Sequence, residues 1–364
     1  MIANILHAHT RNELTVLRIY HNFAGMPFFS PLLWPISLIY QLVVYVRNAL
    51  YDWGWFKSYR PNVNSLVVGN LSVGGSGKTP MIEFILRYCI EDHRVAVISR
   101  GYKRKSKGFR RVSDSDTALT VGDEPLQLYQ QFKSQVTVAV DADRLNAIEQ
   151  LLKSETLQAV ILDDAFQHRR IRASLNLLLT TYQRPFYDDH YLPMGRLRDH
   201  KNQLKRADFV LVTKCPEQLN LAEAEAIRAR INRQCSKEVF FACSRYSQQF
   251  LSRLPLLANQ RIALITGLAD AQQLKGDLLR LGLTFDFFEK PDHHHYADSD
   301  INALKDYTCV LTTSKDEVKL APLWNDYLPP RVIVEVEHHL LFDGHTQFVK
   351  RIKESLFDRK PEVC

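Results

Sequence analysis

Between Asn22 and Val46 no position is charged, and the run FFSPLLWPISLIYQLVVYV fills most of that stretch. An apolar run of this length suffices for a transmembrane helix, which needs about 20 residues. Prolines at 27, 31 and 35 are expected to break it, because each removes a helix donor and clashes with the preceding turn. The proline-free part, Ile36–Val46, is too short to span. Arg47, Tyr51, Trp53, Trp55, Phe56, Lys57 and Arg60 follow, a mixture of rings and cations suited to the headgroup level. Residues 1–60 therefore read as a membrane-associated helical segment, with a helix lying in or dipping into one leaflet. The alternative is a helix buried against the globular body.

After Pro61 short apolar runs alternate with amphipathic stretches. Ser65–Val68, Arg94–Ser99, Gln158–Leu162, Leu177–Thr180 and Asp208–Thr213 read as strands. Helical patterns at Met81–Ile90, Ala142–Leu152 and Ala222–Asn232 lie between them. The alternation predicts an α/β fold, a parallel sheet with flanking helices, over residues 61–240. Val239–Ser244 reads as a strand that helps link two lobes. Gln260–Gly267, Cys309–Thr313 and Val332–Val336, with a helix to Leu281, predict a second, smaller α/β lobe over 241–364. Its closing helix, Thr346–Leu356, is able to pack back on the core.

Composition narrows the class. Hydrophobic content of 46% and 24% charged residues exclude a wholly disordered chain. The 47 Lys+Arg against 40 Asp+Glu favour an anionic partner: nucleic acid, acidic lipid or a phosphorylated substrate. Six cysteines without a CxxC argue against a zinc ribbon or a disulfide scaffold and fit a reducing compartment. The first twenty residues lack the pattern of a secretory signal, so the protein is expected to stay where it is made.

The first chemistry lies after the strand at Ser65–Val68. Ser72-Val73-Gly74-Gly75-Ser76-Gly77-Lys78-Thr79 is a glycine-rich loop running into a helix, the context that a phosphate-binding loop needs. Its glycines let backbone N–H groups close around phosphate oxygens. Lys78 is placed to reach the β- and γ-phosphates, the Thr79 hydroxyl to ligate Mg²⁺, and the helix N-terminus favours the anion. Ser72 stands where such loops usually begin with glycine. A second element, the apolar run to Leu162 followed by Asp163-Asp164, supplies a carboxylate for Mg²⁺; an acidic pair of this kind also caps helices. Thr213-Lys214-Cys215-Pro216 lacks the acid that reads guanine, and Ser314-Lys315-Asp316 has the wrong spacing. ATP is the expected nucleotide.

Six of the nine residues KRKSKGFRR (103–111) are basic, which suits a clamp for phosphate or acidic membrane and equally a solvated loop. Asp292-His293-His294-His295-Tyr296 suggests a metal at first, but neighbours on an extended chain point to opposite sides. One catalytic histidine in a cleft between lobes is the functional reading, and a surface loop the structural one.

Taken together, GNLSVGGSGKTP (69–80), SRGY (99–102), GDEP (122–125), DDAFQHR (163–169), LPMGRLRD (192–199), DHHHY (292–296) and TSKDEVK (313–319) resemble the tetraacyldisaccharide 4′-kinase family of Gram-negative bacteria. The resemblance covers most of the chain. It departs at Ala165, Lys103 and Asp199-His200, where the family more often has Gly, Gly and Glu-Pro. It implies transfer of the ATP γ-phosphoryl group to the 4′-hydroxyl of an acylated disaccharide 1-phosphate lipid, at the cytoplasmic face of the inner membrane, by a peripheral or monotopic monomer. Lys78 then serves the phosphates, Thr79 and Asp163 the Mg²⁺, with Glu124 a further candidate near the metal. Asp123 is the implied base and His293, from the other lobe, its partner. Arg100, His168 and Arg198 are candidates for substrate contact or for structural pairing. A membrane-recruited NTPase switch is the alternative from a different class. A nucleic-acid-binding module rests on 103–111 alone, with no stacking aromatics to support it, so no nucleic-acid partner is expected.

Overall fold

The computed structural model describes residues 30–91, 93–269 and 271–358. Helix α1 (Ser30–Asp52) leads to β1 (Asn64–Asn70), the glycine-rich loop and α2 (Lys78–Tyr88). Next come β2 (Val95–Ser99), β3 (Arg110–Arg111), α3 (Asp123–Phe132), β4 (Val136–Val140) and α4 (Arg144–Ser154). Then follow β5 (Ala159–Asp163), β6 (Leu175–Thr181), β7 (Phe209–Cys215), α5 (Leu221–Asn232) and β8 (Glu238–Tyr246). The rest comprises β9 (Ile262–Thr266), α6 (Ala271–Arg280), β10 (Phe285–Glu289), β11 (Cys309–Thr313), α7 (Ser314–Leu320), β12 (Arg331–Val334), β13 (Val336–Leu340) and α8 (Gly344–Lys353), with shorter helical segments between them.

The chain divides into two compact units. One comprises Met1–Glu91, Gln158–Cys243 and Leu340–Cys364; the other comprises Asp92–Leu157 and Ser244–His339. The partition crosses the linear scheme of 61–240 and 241–364, because 92–157 groups with the later segment and 340–364 returns to the phosphate-loop unit.

In the first unit the strands run β8-β7-β6-β1-β5, all parallel. β1 and β5 are buried along their whole length, so their apolar runs are continuous rather than alternating. Their register sets Val68 opposite Asp163. The loop after β1 and the acid ending β5 thus emerge side by side at the carboxyl edge of the sheet, where open α/β sheets take their ligands. Helix α8 closes the unit: Phe348 is fully buried, its ring 6.0 Å from Phe84 and 5.1 Å from Phe240.

Helix α1 corrects the expectation that prolines end it. It starts at Ser30 and passes through Pro35; Pro27 lies outside the described residues. Pro31 occupies the first turn, where its missing N–H has no intrahelical partner to lose. Pro35 forfeits one early bond, at a cost of about 3 kcal/mol that packing of the inner face offsets. That face is Ser37, Tyr40, Val44 and Asn48, all buried and spaced three or four apart. Ser37 Oγ donates to Tyr191 O at 2.9 Å, Tyr40 OH to Arg198 O at 3.1 Å, and Asn48 Nδ2 to Asp199 Oδ1 at 2.7 Å. The opposite face leaves Trp34, Ile39, Leu42 and Tyr45 exposed. Among the described residues no helix is long and apolar enough to cross a membrane.

The second unit holds β2-β4-β3 and a four-stranded parallel sheet, β10-β9-β11-β12. The basic run 103–111 is tied down here. Arg110 and Arg111 form β3, pair with Asp116 and Glu155 respectively, and Arg104 donates to Gly108 O and Val140 O. Three of its six cations are therefore spent on the fold. β11 delivers the chain into α7, capped by Thr313 Oγ1 on the Asp316 N–H. Helix α7 packs on α3.

Candidate active site

The residues singled out from sequence gather in two constellations, one in each unit. In the first, Asn70 ends β1 and the loop Leu71–Gly77 turns into α2. Gly77, the residue before the helix, has φ 79°, the left-handed region that glycine enters without strain. Ser76 is buried; Asn70 Nδ2 donates to its Oγ at 2.9 Å and Thr213 Oγ1 to its carbonyl at 2.9 Å. Val73 N–H donates to Arg196 O at 2.8 Å, so the 192–199 motif straps the loop from outside.

Lys78 and Arg198 both converge on Asp164. Lys78 Nζ stands 3.6 Å from Oδ1. Arg198 grips both carboxylate oxygens, Nη1 on Oδ2 at 3.0 Å and Nη2 on Oδ1, and Nη2 also donates to Asn70 Oδ1. A fork of this kind holds orientation as well as charge. Asp164 itself sits at φ 48°, which turns its side chain out of the strand direction set by Asp163. Arg198, a candidate for substrate contact from sequence, is thus placed on an acid of the chain itself. His168 lies in the turn that follows, its N–H on Ala165 O.

The second constellation begins with two glycines. Gly101 has φ 70° and Gly122 φ 97°. A Cβ on Gly122 would lie 3.2 Å from Gly101 Cα, and one on Gly101 would lie 2.7 Å from Val121 O. SRGY and GDEP therefore meet backbone to backbone, and this contact launches α3 with Asp123 as its first residue. An acid there faces the positive end of the helix dipole.

Asp123 is 5% exposed. His293 Nδ1 approaches its Oδ2 at 2.9 Å and Lys319 Nζ the same oxygen at 3.4 Å. Lys319 is closer still to Asp316, 3.1 Å from Oδ1. Asp316, fully buried, accepts from Thr266 Oγ1, Gly267 N and Thr313 Oγ1 on Oδ2. Burial alone would raise the Asp123 pKa; the His293 hydrogen bond and the charges of Lys319 and Lys315 outweigh it and hold the carboxyl below its usual range. His293 has φ 61°, and its ring meets that of Tyr102 with centroids 5.2 Å apart. His294 turns instead to Asp300, 3.0 Å away, and His295 is exposed. The three histidines diverge as expected, but through a turn at Asp292–His293 rather than along an extended chain.

Of the residues singled out from sequence, Ser72–Thr79, Asp163, His168 and Arg198 belong to the first unit, and Arg100, Asp123, Glu124 and His293 to the second. Asp123 and His293 thus pair within one unit, not between lobes. Sequence reasoning did not assign Lys315, Lys319, Asp316 or Asp292. The available signals were the quoted motifs DHHHY and TSKDEVK, which contain them, and the spacing Lys315–Lys319, which puts both cations on one face of a helix.

The family model described as tetraacyldisaccharide-1-P 4′-kinase, LpxK, matches residues 29–356. The chain belongs to this family. A tetraacyldisaccharide 4′-kinase of Bacteroides thetaiotaomicron is 37% identical over 348 residues, 88% of this chain and 91% of that protein. One of Cytophaga hutchinsonii is 37% identical over 347 residues, 90% and 98% respectively. A crystal structure of LpxK from Aquifex aeolicus in complex with ATP superimposes with a TM-score of 0.71 at 28% identity, covering 90% of this chain and all of that one. The P-loop NTPase-like α/β fold expected from sequence is the family's fold.

Proposed function

We infer that this member of the LpxK family is a kinase that transfers the γ-phosphoryl group of ATP to the 4′-hydroxyl of a tetraacyldisaccharide 1-phosphate. The observation that supports it most is the family match over nearly the whole chain, with the glycine-rich loop and Lys78 in place.

In the reaction the hydroxyl oxygen bonds to the γ-phosphorus, the bridging P–O bond breaks, and ADP departs with the electron pair. The hydroxyl proton passes to Asp123. Both contacts to this carboxylate fall on Oδ2, which leaves Oδ1 to receive it. A carboxylate held below its usual pKa is a weak base, but the loose transition state of phosphoryl transfer asks chiefly for orientation. Lys78 and the loop N–H groups neutralise and align the phosphates. Mg²⁺, when bound, would neutralise charge on the β- and γ-oxygens. The residues fit it: the β1–β5 register brings Asp163 beside the strand that feeds Thr79. Glu124 remains a candidate from sequence.

The exposed apolar face of α1, continued by Trp53 and Trp55, which are 70% and 78% exposed, supports contact with a lipid surface. We assign the chain to the cytoplasmic face of the inner membrane, as a peripheral or monotopic monomer meeting its lipid substrate there.

Transfer of labelled γ-phosphate to the acceptor in detergent micelles tests the assignment, wild type against Lys78→Ala. A labelled lipid that disappears in the variant supports the kinase. Lys78-dependent ATP hydrolysis without a lipid product would hand the case to the NTPase switch.

A further inference from the structure

Helix α7 sends two lysines, one turn apart, toward the pair formed by Asp123 and His293. Lys319 reaches the carboxylate. Lys315 reaches the far side of the imidazole: its Nζ is 3.3 Å from His293 Nε2. That ammonium is no wandering tail, because it also donates to Asp292 Oδ1 at 2.8 Å. Burial would lower its pKa, but Glu124, Asp292 and Asp123 raise it, so Lys315 keeps its charge.

We propose that Lys315 is a positioning residue that fixes the tautomer of His293: the ammonium donates to Nε2, and the single ring proton sits on Nδ1, where it is donated to Asp123. An ammonium has donors only, so the nitrogen it meets must offer a lone pair. With the proton on Nε2, two donors would face each other at 3.3 Å while the Nδ1 lone pair faced a carboxylate at 2.9 Å. A doubly protonated ring would again set Nε2–H against the ammonium, and Asp292 Oδ2, at 3.7 Å, is beyond hydrogen-bond reach. The neutral Nδ1–H ring alone satisfies both sides. Among the described residues, the charged or titratable groups facing this ring are Asp123, Asp292, Lys315 and Tyr102, with Lys319 behind Asp123, Glu124 beside it on α3, and Lys103 over Tyr102.

The assignment rests on the reading of Asp123 as base and deepens it. With Nε2 occupied, His293 relays no proton. The proton leaving the sugar hydroxyl stays on Asp123 through the transfer, and His293 serves to hold the carboxylate and keep it ionised.

Histidine-¹⁵N spectra of the full chain, assigned with His293→Gln, test this directly. At pH 7 the wild-type ring is expected to show a protonated Nδ1 and an unprotonated Nε2; a protonated Nε2 overturns the proposal. In Lys315→Met the ring is expected to lose its single tautomer and to show Nε2 protonated in part of the population. An unchanged tautomer overturns the proposal too. Lys315→Arg retains a donor and is expected to keep the wild-type tautomer, with kcat closer to wild type than the roughly tenfold loss expected of Lys315→Met. The wild-type spectrum stands even where a variant fails to fold. It also separates the two readings, because full activity of Asp123→Ala would remove the base yet leave the ring's proton where the spectrum finds it.

Discussion

Asp164 and Asp123 are both carboxylates approached by two nitrogen-bearing side chains, yet their surroundings differ. The Asp164 side chain is 33% exposed, with Lys78 and Arg198 on it. Asp123 is enclosed among His293, Lys319 and the start of α3. Ion pairs open to water gain little, commonly under about 1 kcal/mol, so a phosphate at Lys78 displaces a weak competitor. A buried pair is different: its charges have no water to fall back on, and removing one partner strands the other. On the proposed reading the first arrangement is open enough to yield Lys78 to a phosphate, whereas the second is enclosed.

The largest effect is expected at the first site. Lys78→Ala should lower kcat for lipid phosphorylation by about 10³-fold or more, since the charge it supplies acts on the transferring group. Single-turnover assays on the micellar acceptor measure this. A loss below tenfold would end the role given to Lys78.

Asp123→Asn should cost about 10²- to 10⁴-fold in kcat with little change in KM for ATP, the pattern of a missing proton acceptor. Its pH dependence sharpens the point. Because the folded carboxyl titrates below its unfolded value, its ionised form stabilises the fold above about pH 4, and that contribution is lost as pH falls through the folded value. The acid limb of kcat/KM is accordingly expected below about pH 4, and a limb near neutrality would point to another base.

Lys319→Met tests the enclosed arrangement by stability. It leaves Asp123 and Asp316 without their shared cation, and an unfolding loss of about 3–5 kcal/mol is expected by denaturant titration. Lys205→Ala, which breaks a pair with Asp52 at the surface, should cost no more than about 1 kcal/mol. Equal losses for these two would dissolve the contrast between enclosed and open pairs.

The phosphate loop and the parallel strands were legible because their signals are contiguous: an apolar run, glycines, then Lys-Thr opening a helix. β4 was legible in principle, since four of the five residues of Val136-Thr-Val-Ala-Val140 are β-branched, but no motif draws attention to it. The prolines of α1 misled because their cost depends on where the helix begins, and local sequence does not say how firmly its inner face will pack. The lysines on Asp123 and His293 stayed hidden for another reason. Residues 123, 293, 315 and 319 come together through the packing of α7 on α3, and no spacing along the chain encodes that meeting. Asp164 shows the same limit on a smaller scale: the Asp163-Asp164 pair is visible, but which acid Arg198 takes is decided by a left-handed turn.

Helix α1 has one more consequence. Its inner face is fastened largely by Ser37, Tyr40 and Asn48, through hydrogen bonds to Tyr191, Arg198 and Asp199. Fastenings of that kind do not draw their strength from the surrounding water. In an apolar medium the hydrophobic drive between elements vanishes, whereas a hydrogen bond there has nothing better to exchange for. The helix is therefore anchored in a way indifferent to the medium on its outer side. Its exposed apolar face can pass from water to hydrocarbon without loosening Arg198, whose carbonyl Tyr40 holds and whose guanidinium grips Asp164.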